Sequence, residues 1–381
     1  MKAVSVLIVV LCCAAGARAQ DAVRQAATFK TDGKLTWAAF SPDGRLLAVS
    51  YGEKTSVRLL DARTGGLLAK LEGQDDPLGT NLHSSFVGRV TLGPASTRFS
   101  RDGRLLAVTA YRANQVRVWD VQAGKLSLTL RGLTNVREVS FSPDGNVLAV
   151  AAGDQGLRLV DLVKGALLDP HWDARSVRSV NAAWFLQDGK TIAVYTSNLD
   201  EPKRRLYLID LETGRVESRV GGGRGGGDSY IAYVSKGAGE FATVGEDGDI
   251  SLWETATGRL LRSLKLKGGK GYPPVEFGPG ARTLALPGPQ GGVAVWDFEH
   301  GQVLATLPLA EKDGFLGYKA DEPSLLLTST KQGIKLWDPL TLAPRGEMKG
   351  ARPPLAFSRD GRAAVTAGAG DTAILWDTSG L

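Results

Sequence analysis

Eight short alternating segments, each ending in an acidic residue, constrain the fold of this 381-residue chain more than any other feature. The clearest is residues 334–338, Ile-Lys-Leu-Trp-Asp. Such alternation of apolar and polar side chains is typical of a half-buried β-strand. The acidic ends lie 39 to 59 residues apart, which indicates repeated small sheets that cannot bury their own faces alone. These ends are Asp61, Asp120, Asp161, Asp210, Glu254, Asp297, Asp338 and Asp377.

Each repeat also carries turn signals. Residues 41–44 of the first repeat are Ser-Pro-Asp-Gly, in which Pro presets φ, Asp bonds nearby backbone and Gly accepts a positive φ. A second turn of the Thr-Gly type, as at residues 63–65, precedes the last strand of most repeats. No helical period persists after residue 19, so the sequence predicts an all-β chain. Turns related to the first kind recur at residues 100–103, 142–145, 187–189 and 358–361.

The Trp-Asp ends and the Ser-Pro-Asp-Gly turns together resemble the WD-repeat β-propeller family, from about residue 24 to Asp377. The resemblance implies a ring of four-stranded antiparallel blades, with the repeated tryptophans packed between neighbouring blades. The chain departs from the family in lacking the Gly-His pair before the first strand. The family's buried His-Ser-Asp-Trp network is therefore not expected here, and His83, His171 and His300 do not occupy equivalent positions.

The number of blades follows from the two ends of the repeat array. The eighth unit ends at Leu381, too soon after Asp377 to supply a fourth strand. An apolar run at residues 26–29 would complete it. We therefore predict an eight-bladed propeller whose N-terminal strand closes the last blade and removes two exposed sheet edges. The alternative is seven blades, with the first repeat outside the ring.

The first 19 residues differ from the rest of the chain. Lys2 is followed by an apolar run at residues 3–16, and residues 17–19 are Ala-Arg-Ala. These features predict a cleaved secretory signal peptide of bacterial type at residues 1–19. Residues 20–381 are then a single propeller domain in the periplasm or outside the cell. An uncleaved membrane anchor is the alternative, although the run is shorter than the roughly 20 residues that a spanning helix needs.

The composition excludes several classes of function. Both cysteines lie within the predicted signal peptide, so the mature chain has no cysteine nucleophile and no disulfide. Without Lys2 and Arg18 the net charge falls from +6 to +4, and no concentrated basic stripe favours a nucleic-acid partner. No zinc or serine-hydrolase motif is present, so we predict no catalytic residue, cofactor or metal. The glycine run at residues 221–227 precedes a strand, which favours a loop over a dinucleotide site.

Long loops indicate where a partner would bind. Loops from second to third strands, and from fourth strands to the next blade, share one face of a propeller. Long insertions on this face lie at residues 72–94, 171–178 and 198–205. The last two flank one blade, so we expect a basic and aromatic patch suited to a carboxylate, a phosphate or an acidic peptide. Its candidate residues are His171, Trp172, Arg175, Lys203, Arg204 and Arg205, with Tyr51 and Tyr111 before other loops on that face.

The sequence thus favours a monomeric, non-enzymatic scaffold that binds a protein or peptide at its loops, with an acidic peptide as one candidate. A solvated rim without any site is the competing interpretation of those loops. The alternative function is a divergent envelope enzyme or redox-associated subunit that binds a small ligand at the central channel. A cluster of titratable side chains at that channel would favour it, and the sequence does not display one.

Overall fold

The computed structural model describes residues 22–31, 33–51, 57–71, 96–109, 114–153, 155–169, 177, 179–196, 205–220, 229–234, 239–245, 248–265, 275–278, 281–287, 292–310, 313–319 and 324–381. Within these ranges the chain forms 32 β-strands, arranged as eight four-stranded antiparallel sheets. The protein is therefore an eight-bladed β-propeller, as predicted.

Seven blades are made of four consecutive strands each, and the eighth combines both ends of the chain. The strands of blades 1 to 4 are β2 (Leu35–Phe40), β3 (Leu46–Tyr51), β4 (Val57–Asp61), β5 (Leu67–Leu71), β6 (Ser96–Phe99), β7 (Leu105–Thr109), β8 (Val116–Asp120), β9 (Lys125–Leu130), β10 (Glu138–Phe141), β11 (Val147–Ala151), β12 (Leu157–Asp161), β13 (Ala166–Leu167), β14 (Val180–Phe185), β15 (Thr191–Thr196), β16 (Arg205–Asp210) and β17 (Val216–Val220). The strands of blades 5 to 8 are β18 (Ser229–Val234), β19 (Glu240–Gly245), β20 (Asp249–Glu254), β21 (Leu260–Lys265), β22 (Glu276–Phe277), β23 (Thr283–Pro287), β24 (Val293–Asp297), β25 (Gln302–Leu307), β26 (Gly314–Lys319), β27 (Leu325–Ser329), β28 (Gly333–Trp337), β29 (Pro344–Lys349), β30 (Arg352–Phe357), β31 (Ala363–Ala367), β32 (Thr372–Asp377) and β1 (Arg24–Lys30).

The N-terminal strand closes the ring. β1 pairs antiparallel with β32, and Arg24 lies opposite Asp377 at one end of the pair. The first repeat lies within the ring as blade 1, which excludes the seven-bladed alternative. The two ends of the described chain also meet: a Cβ added to Gly380 would lie 2.9 Å from the Cα of Ala22. The last blade is thus completed without leaving β32 as an open edge.

The core is divided into eight apolar clusters, one at each interface between neighbouring blades. Leu59 of blade 1 packs with Leu106 of blade 2 in one of them. The last joins Leu375 of blade 8 to Leu47 of blade 1. Because each sheet buries its two faces against two different neighbours, the ring and not the single blade is the stable unit.

The repeated tryptophans lie between blades, as the resemblance implied. The buried indole of Trp376 donates a hydrogen bond of 2.9 Å from its N–H to the hydroxyl of Thr366 on the neighbouring strand. No histidine takes part in this bond, since the one histidine that the structure describes, His300, lies in an exposed turn. The same bond recurs from Trp253 to Thr243 and from Trp337 to Thr328.

Two kinds of turn lie together on one side of the ring, called here the turn face. In the turn between the first and second strands of blade 1, the Ser41 hydroxyl donates to the Asp43 carboxylate over 2.5 Å. Gly44 follows with φ of +73°. In the turn before the fourth strand, Asp61 accepts a 2.7 Å bond from the N–H of Thr64. Seven of the eight acidic ends accept bonds in this way from backbone N–H groups two or three residues ahead, and Glu254 accepts one from the Thr257 hydroxyl.

The opposite side carries the remaining connections and is called here the loop face. First strands lie innermost, since those of neighbouring blades contact each other, as β6 contacts β10 and β2 contacts β30. The space that these first strands surround is the central channel. Tyr51, a weak candidate for binding, is instead a core residue that is 5% exposed, and burial raises the pKa of its phenol.

Candidate functional site

The site predicted from the long loops falls mainly outside the residues that the structure describes. Arg205 begins β16 at the loop-face end of blade 4, with its backbone opposite Thr196 and Val220. The other candidates, His171, Trp172, Arg175, Lys203, Arg204 and Tyr111, lie outside the described residues and stay predictions.

Blades 2 and 3 supply the part of the loop face that is described most fully. The link between these blades, residues 131–137, is fastened on both sides. The N–H of Leu133 donates to the carbonyl of Asn114 over 3.1 Å, and the Gln155 side chain accepts a 2.9 Å bond from the N–H of Thr134. Gln155 also donates to the carbonyl of Gly132 over 3.1 Å. Three connections thus form one hydrogen-bonded surface.

Three polar side chains in this surface have an atom without a hydrogen-bond partner in the described structure: Oε1 of Gln115, Oδ1 of Asn135 and Nε of Arg137. We call them the loop-face triad. Gln115 is only 2% exposed. Buried polar atoms without partners are rare in native proteins and cost about 1–3 kcal/mol each. The three atoms are themselves buried and mark polar strain beneath the loop face, whereas the partly exposed side chains of Asn135 and Arg137 reach its surface.

The backbone at the triad is held in a costly conformation. Asn135 has φ of +56°, in the left-handed region that non-glycine residues seldom adopt. Gly153 packs directly beneath it, because a Cβ added there would come within 2.8 Å of the Asn135 amide nitrogen. Residues held in this way at a surface are frequent at functional sites. Long insertions in the sequence do not reveal the triad, because its residues lie in short connections.

A second candidate site lies in the central channel, between the first strands of blades 6, 7 and 8. A cavity of about 260 Å³ opens there. Its wall is about equally polar and apolar, and Lys319 and Glu276 bring a positive and a negative charge to it. The apolar residues of the wall are Leu316, Leu327, Pro353, Leu355 and Phe357.

The two charged residues of the cavity are part of the packed structure. Lys319 is 9% exposed, and its ammonium lies 5.7 Å from the centre of the Phe357 ring. Both Lys319 and Glu276 also interact with other protein groups. Elsewhere along the first strands, Arg98 of β6 pairs with Glu138 of β10 at 3.6 Å. The channel therefore carries charges of both signs, which the sequence alone did not place together.

The described residues hold no group of three or more His, Cys, Asp or Glu side chains that could bind a metal ion. His300 lies on the turn face, where the hydrogen bond and charge of Asp297 raise the pKa of its imidazole. No helix within the described ranges is long and apolar enough to cross a membrane.

The fold of the chain recurs in solved structures. One described as "Structure of Dos1 propeller" matches with a TM-score of 0.67 over 94% of this chain and 96% of that chain. Sequence identity is 16%, so the likeness is one of fold. The class of the protein is therefore the β-propeller.

Sequence comparison narrows the likeness to WD-repeat proteins. Residues 106–184 match the family described as "Anaphase-promoting complex subunit 4 WD40 domain". WD repeat and SOCS box-containing protein 1 of Danio rerio is 30% identical over 169 residues, which are 34% of this chain and 40% of that protein. WD repeat-containing protein SL1-17 of Schistosoma mansoni is 32% identical over 145 residues, 38% of this chain and 42% of that protein. The matches thus span about two fifths of the length of these curated relatives.

Proposed function

We propose that this chain is a WD-repeat propeller that serves as a rigid platform for a protein or peptide partner, bound at the loop face. The loop-face triad is the observation that carries the proposal. Within it the partly exposed side chains of Asn135 and Arg137 are held in place and carry amide and guanidinium groups that can bond a peptide.

Rigidity supports this role. The link that holds Asn135 is bonded to connections from both adjoining blades, and its ends enter strands of two packed sheets. A surface that is fixed before binding loses little conformational entropy when the partner arrives. Sequence similarity to WD-repeat proteins, whose propellers are typically interaction scaffolds, favours the same function.

An acidic peptide is the partner class that the charges favour. Arg137 places a partly exposed guanidinium side chain on this face, and the patch predicted on blade 4 would add Trp172, Arg175 and Arg204. Guanidinium groups bond carboxylates with two parallel hydrogen bonds, and aromatic side chains supply area at little entropic cost. We propose that the two surfaces belong to one binding face of a monomeric, non-enzymatic protein.

Selection from a displayed library of random peptides tests the proposal. Peptides enriched on the native protein are measured against the variant Asn135→Gly with Arg137→Gln. Glycine accepts the positive φ of residue 135, so the fold is kept. We expect affinity to fall at least about tenfold, the loss of one or two charge-assisted hydrogen bonds.

Arg359→Gln, an exposed change on the turn face, is the matched control and should leave affinity unchanged. A third variant, Trp172→Ala with Arg175→Ala and Arg204→Ala, tests the patch on blade 4 separately. If no peptide is enriched, or if both loop-face variants bind as tightly as the native protein, the platform hypothesis is wrong.

We further propose that the protein acts outside the cytoplasm after removal of residues 1–19. The apolar run that follows Lys2 and the Ala-Arg-Ala sequence at residues 17–19 support export. N-terminal sequencing of the protein recovered from the envelope of an expressing bacterium should begin at Gln20. Recovery of the intact N-terminus from the cytoplasm would contradict the proposal.

A further inference from the structure

The channel cavity has a composition that the platform function does not require. This space brings two opposite charges and several apolar side chains together. The cavity is bounded by three blades, so its shape depends on the assembled ring. A ligand that suits it must satisfy both charges and also bury apolar surface.

The volume sets the size of that ligand. A water molecule occupies about 30 Å³ of liquid, so 260 Å³ corresponds to roughly nine waters or about ten non-hydrogen atoms of a compact ligand. A sphere of this volume is about 8 Å across. Within such a distance Lys319 and Glu276 can both reach one small molecule.

The two charged side chains of the cavity indicate which polar groups the ligand carries. An ammonium has three donors and a carboxylate about four acceptor positions, so each group can bond a ligand and still keep a protein partner. Lys319 would take a negative group and Glu276 a positive one. A ligand with a carboxylate and an ammonium on the same carbon satisfies both while adding no net charge to a partly buried site.

The apolar side chains of the cavity indicate the nature of the ligand's remaining part. Leu316, Leu327 and Leu355 line the space together with the Phe357 ring. Gly317 also lines it, and a Cβ built on this glycine would meet no atom within 4 Å, so the space above the backbone is open. Burying a branched aliphatic side chain here would favour binding.

We propose that the channel cavity of blades 6, 7 and 8 is a binding site for a free apolar α-amino acid of leucine size. The ligand's carboxylate lies toward Lys319, its ammonium toward Glu276 and its side chain against the leucines. The site is independent of the loop-face platform and involves no chemical step.

Calorimetric titration with L-leucine tests the proposal. We expect saturable binding with Kd below about 1 mM. 4-Methylpentanoate lacks the ammonium and isopentylamine lacks the carboxylate, and each should bind at least about tenfold more weakly, since each loses the contact with one of the two charged side chains. Equal binding of either analogue would overturn the assignment of the two charges.

Variants give the second readout. Lys319→Met and Glu276→Gln keep the approximate shape of each side chain and should each weaken leucine binding at least about tenfold. Leu355→Trp fills the cavity and should abolish binding without removing a charge. Lys331→Met changes an exposed lysine outside the cavity and serves as the control.

Circular dichroism and thermal melting check that each variant folds. If a charge variant does not fold, leucine binding by Leu355→Trp still tests the site. Unchanged leucine binding in the folded variants, or no saturable heat up to about 10 mM for any neutral apolar amino acid, would refute the site. Asn135→Gly with Arg137→Gln should bind leucine normally, so failure of the platform and failure of the channel site are distinguishable.

Discussion

The indole N–H of Trp376 donates a 2.9 Å hydrogen bond to the hydroxyl of Thr366, deep between blades 8 and 7. Trp376 is 4% exposed and Thr366 is fully buried. The bond ties the third strand of the blade to its second strand at the interface that the tryptophan fills. It satisfies the one polar atom that an otherwise apolar side chain brings into the core.

Replacing Thr366 by Val should destabilise the protein by about 1–3 kcal/mol, because the change keeps the shape but leaves the Trp376 N–H without an acceptor. Urea denaturation followed by tryptophan fluorescence measures the effect. Thr306→Val, on an exposed position of the outer strand β25, is the control and should change stability by less than about 0.5 kcal/mol. Equal stability of the Thr366 variant would show that the bond contributes nothing.

Gly65 and Gly132 allow the cost of backbone strain to be measured separately from the cost of a side-chain clash. Both have φ near +70°, at +70° and +74°. A Cβ at Gly65 would lie 2.7 Å from the Phe29 ring of β1, whereas one at Gly132 would meet no atom within 4 Å. Gly132→Ala should therefore cost about 1–2 kcal/mol from backbone strain alone. Gly65→Ala should cost about 1–3 kcal/mol more, because overpacking is added.

Chemical denaturation of both alanine variants checks this difference. The double variant Gly65→Ala with Phe29→Leu should recover part of the loss if the clash is its cause. Indistinguishable unfolding free energies for the two single variants would mean that the Phe29 ring moves aside without cost.

Deletion of residues 20–32 should lower the melting temperature by about 10 °C or more, since it removes β1 and exposes the whole edge of β32. Size-exclusion chromatography should also show aggregation through that edge. Deleting residues 1–19 alone is the matched control and should leave the melt as it is. A normal melt after removal of β1 would mean that its pairing contributes nothing to stability.

Acid should weaken the turn that Asp338 stabilises. Desolvation raises the pKa of this carboxyl, but bonds from the N–H of Thr341 and from Arg345 outweigh it and lower the pKa from 3.8 to about 2. Because the folded-state pKa lies below the unfolded value, the contribution is complete above pH 3.8 and is lost as the pH falls toward 2.

Asp338→Asn should therefore destabilise the protein at neutral pH by about 1–2 kcal/mol and by progressively less as the pH approaches 2. Urea unfolding across this range gives the difference. The exposed Asp371→Asn is the control. A penalty that stays constant down to pH 2 would show that ionisation of Asp338 is not what stabilises the turn.

The repeat array allowed nearly all of the fold to be predicted. The segment ending at Asp61 corresponds to β4, and the apolar run before residue 30 is β1. Both strands could be predicted because alternation and turn residues are local signals, and because closure of the ring follows from counting strands. The hydrogen bond from Trp376 to Thr366 was harder to predict, since it forms without a histidine.

The sites could not be predicted in the same way. Gln115 and Asn135 lie in different connections, and nothing local distinguishes them from other turn residues. Lys319 and Glu276 are on the first strands of different blades and share a cavity only because the ring brings those strands around one channel. Such proximity depends on the assembled ring, so loop length and charge runs do not reveal it.

Ala22 and Gly380 meet at the turn-face rim of blade 8, where β32 ends and β1 begins. Any polypeptide that extends from either end leaves the protein at this one place. A tether attached there, whether to a surface or to another module, would carry the ring with its loop face directed away from the attachment. Fusion at either end would leave the opposite face accessible, and the two ends could be joined by a very short linker to give a circular chain.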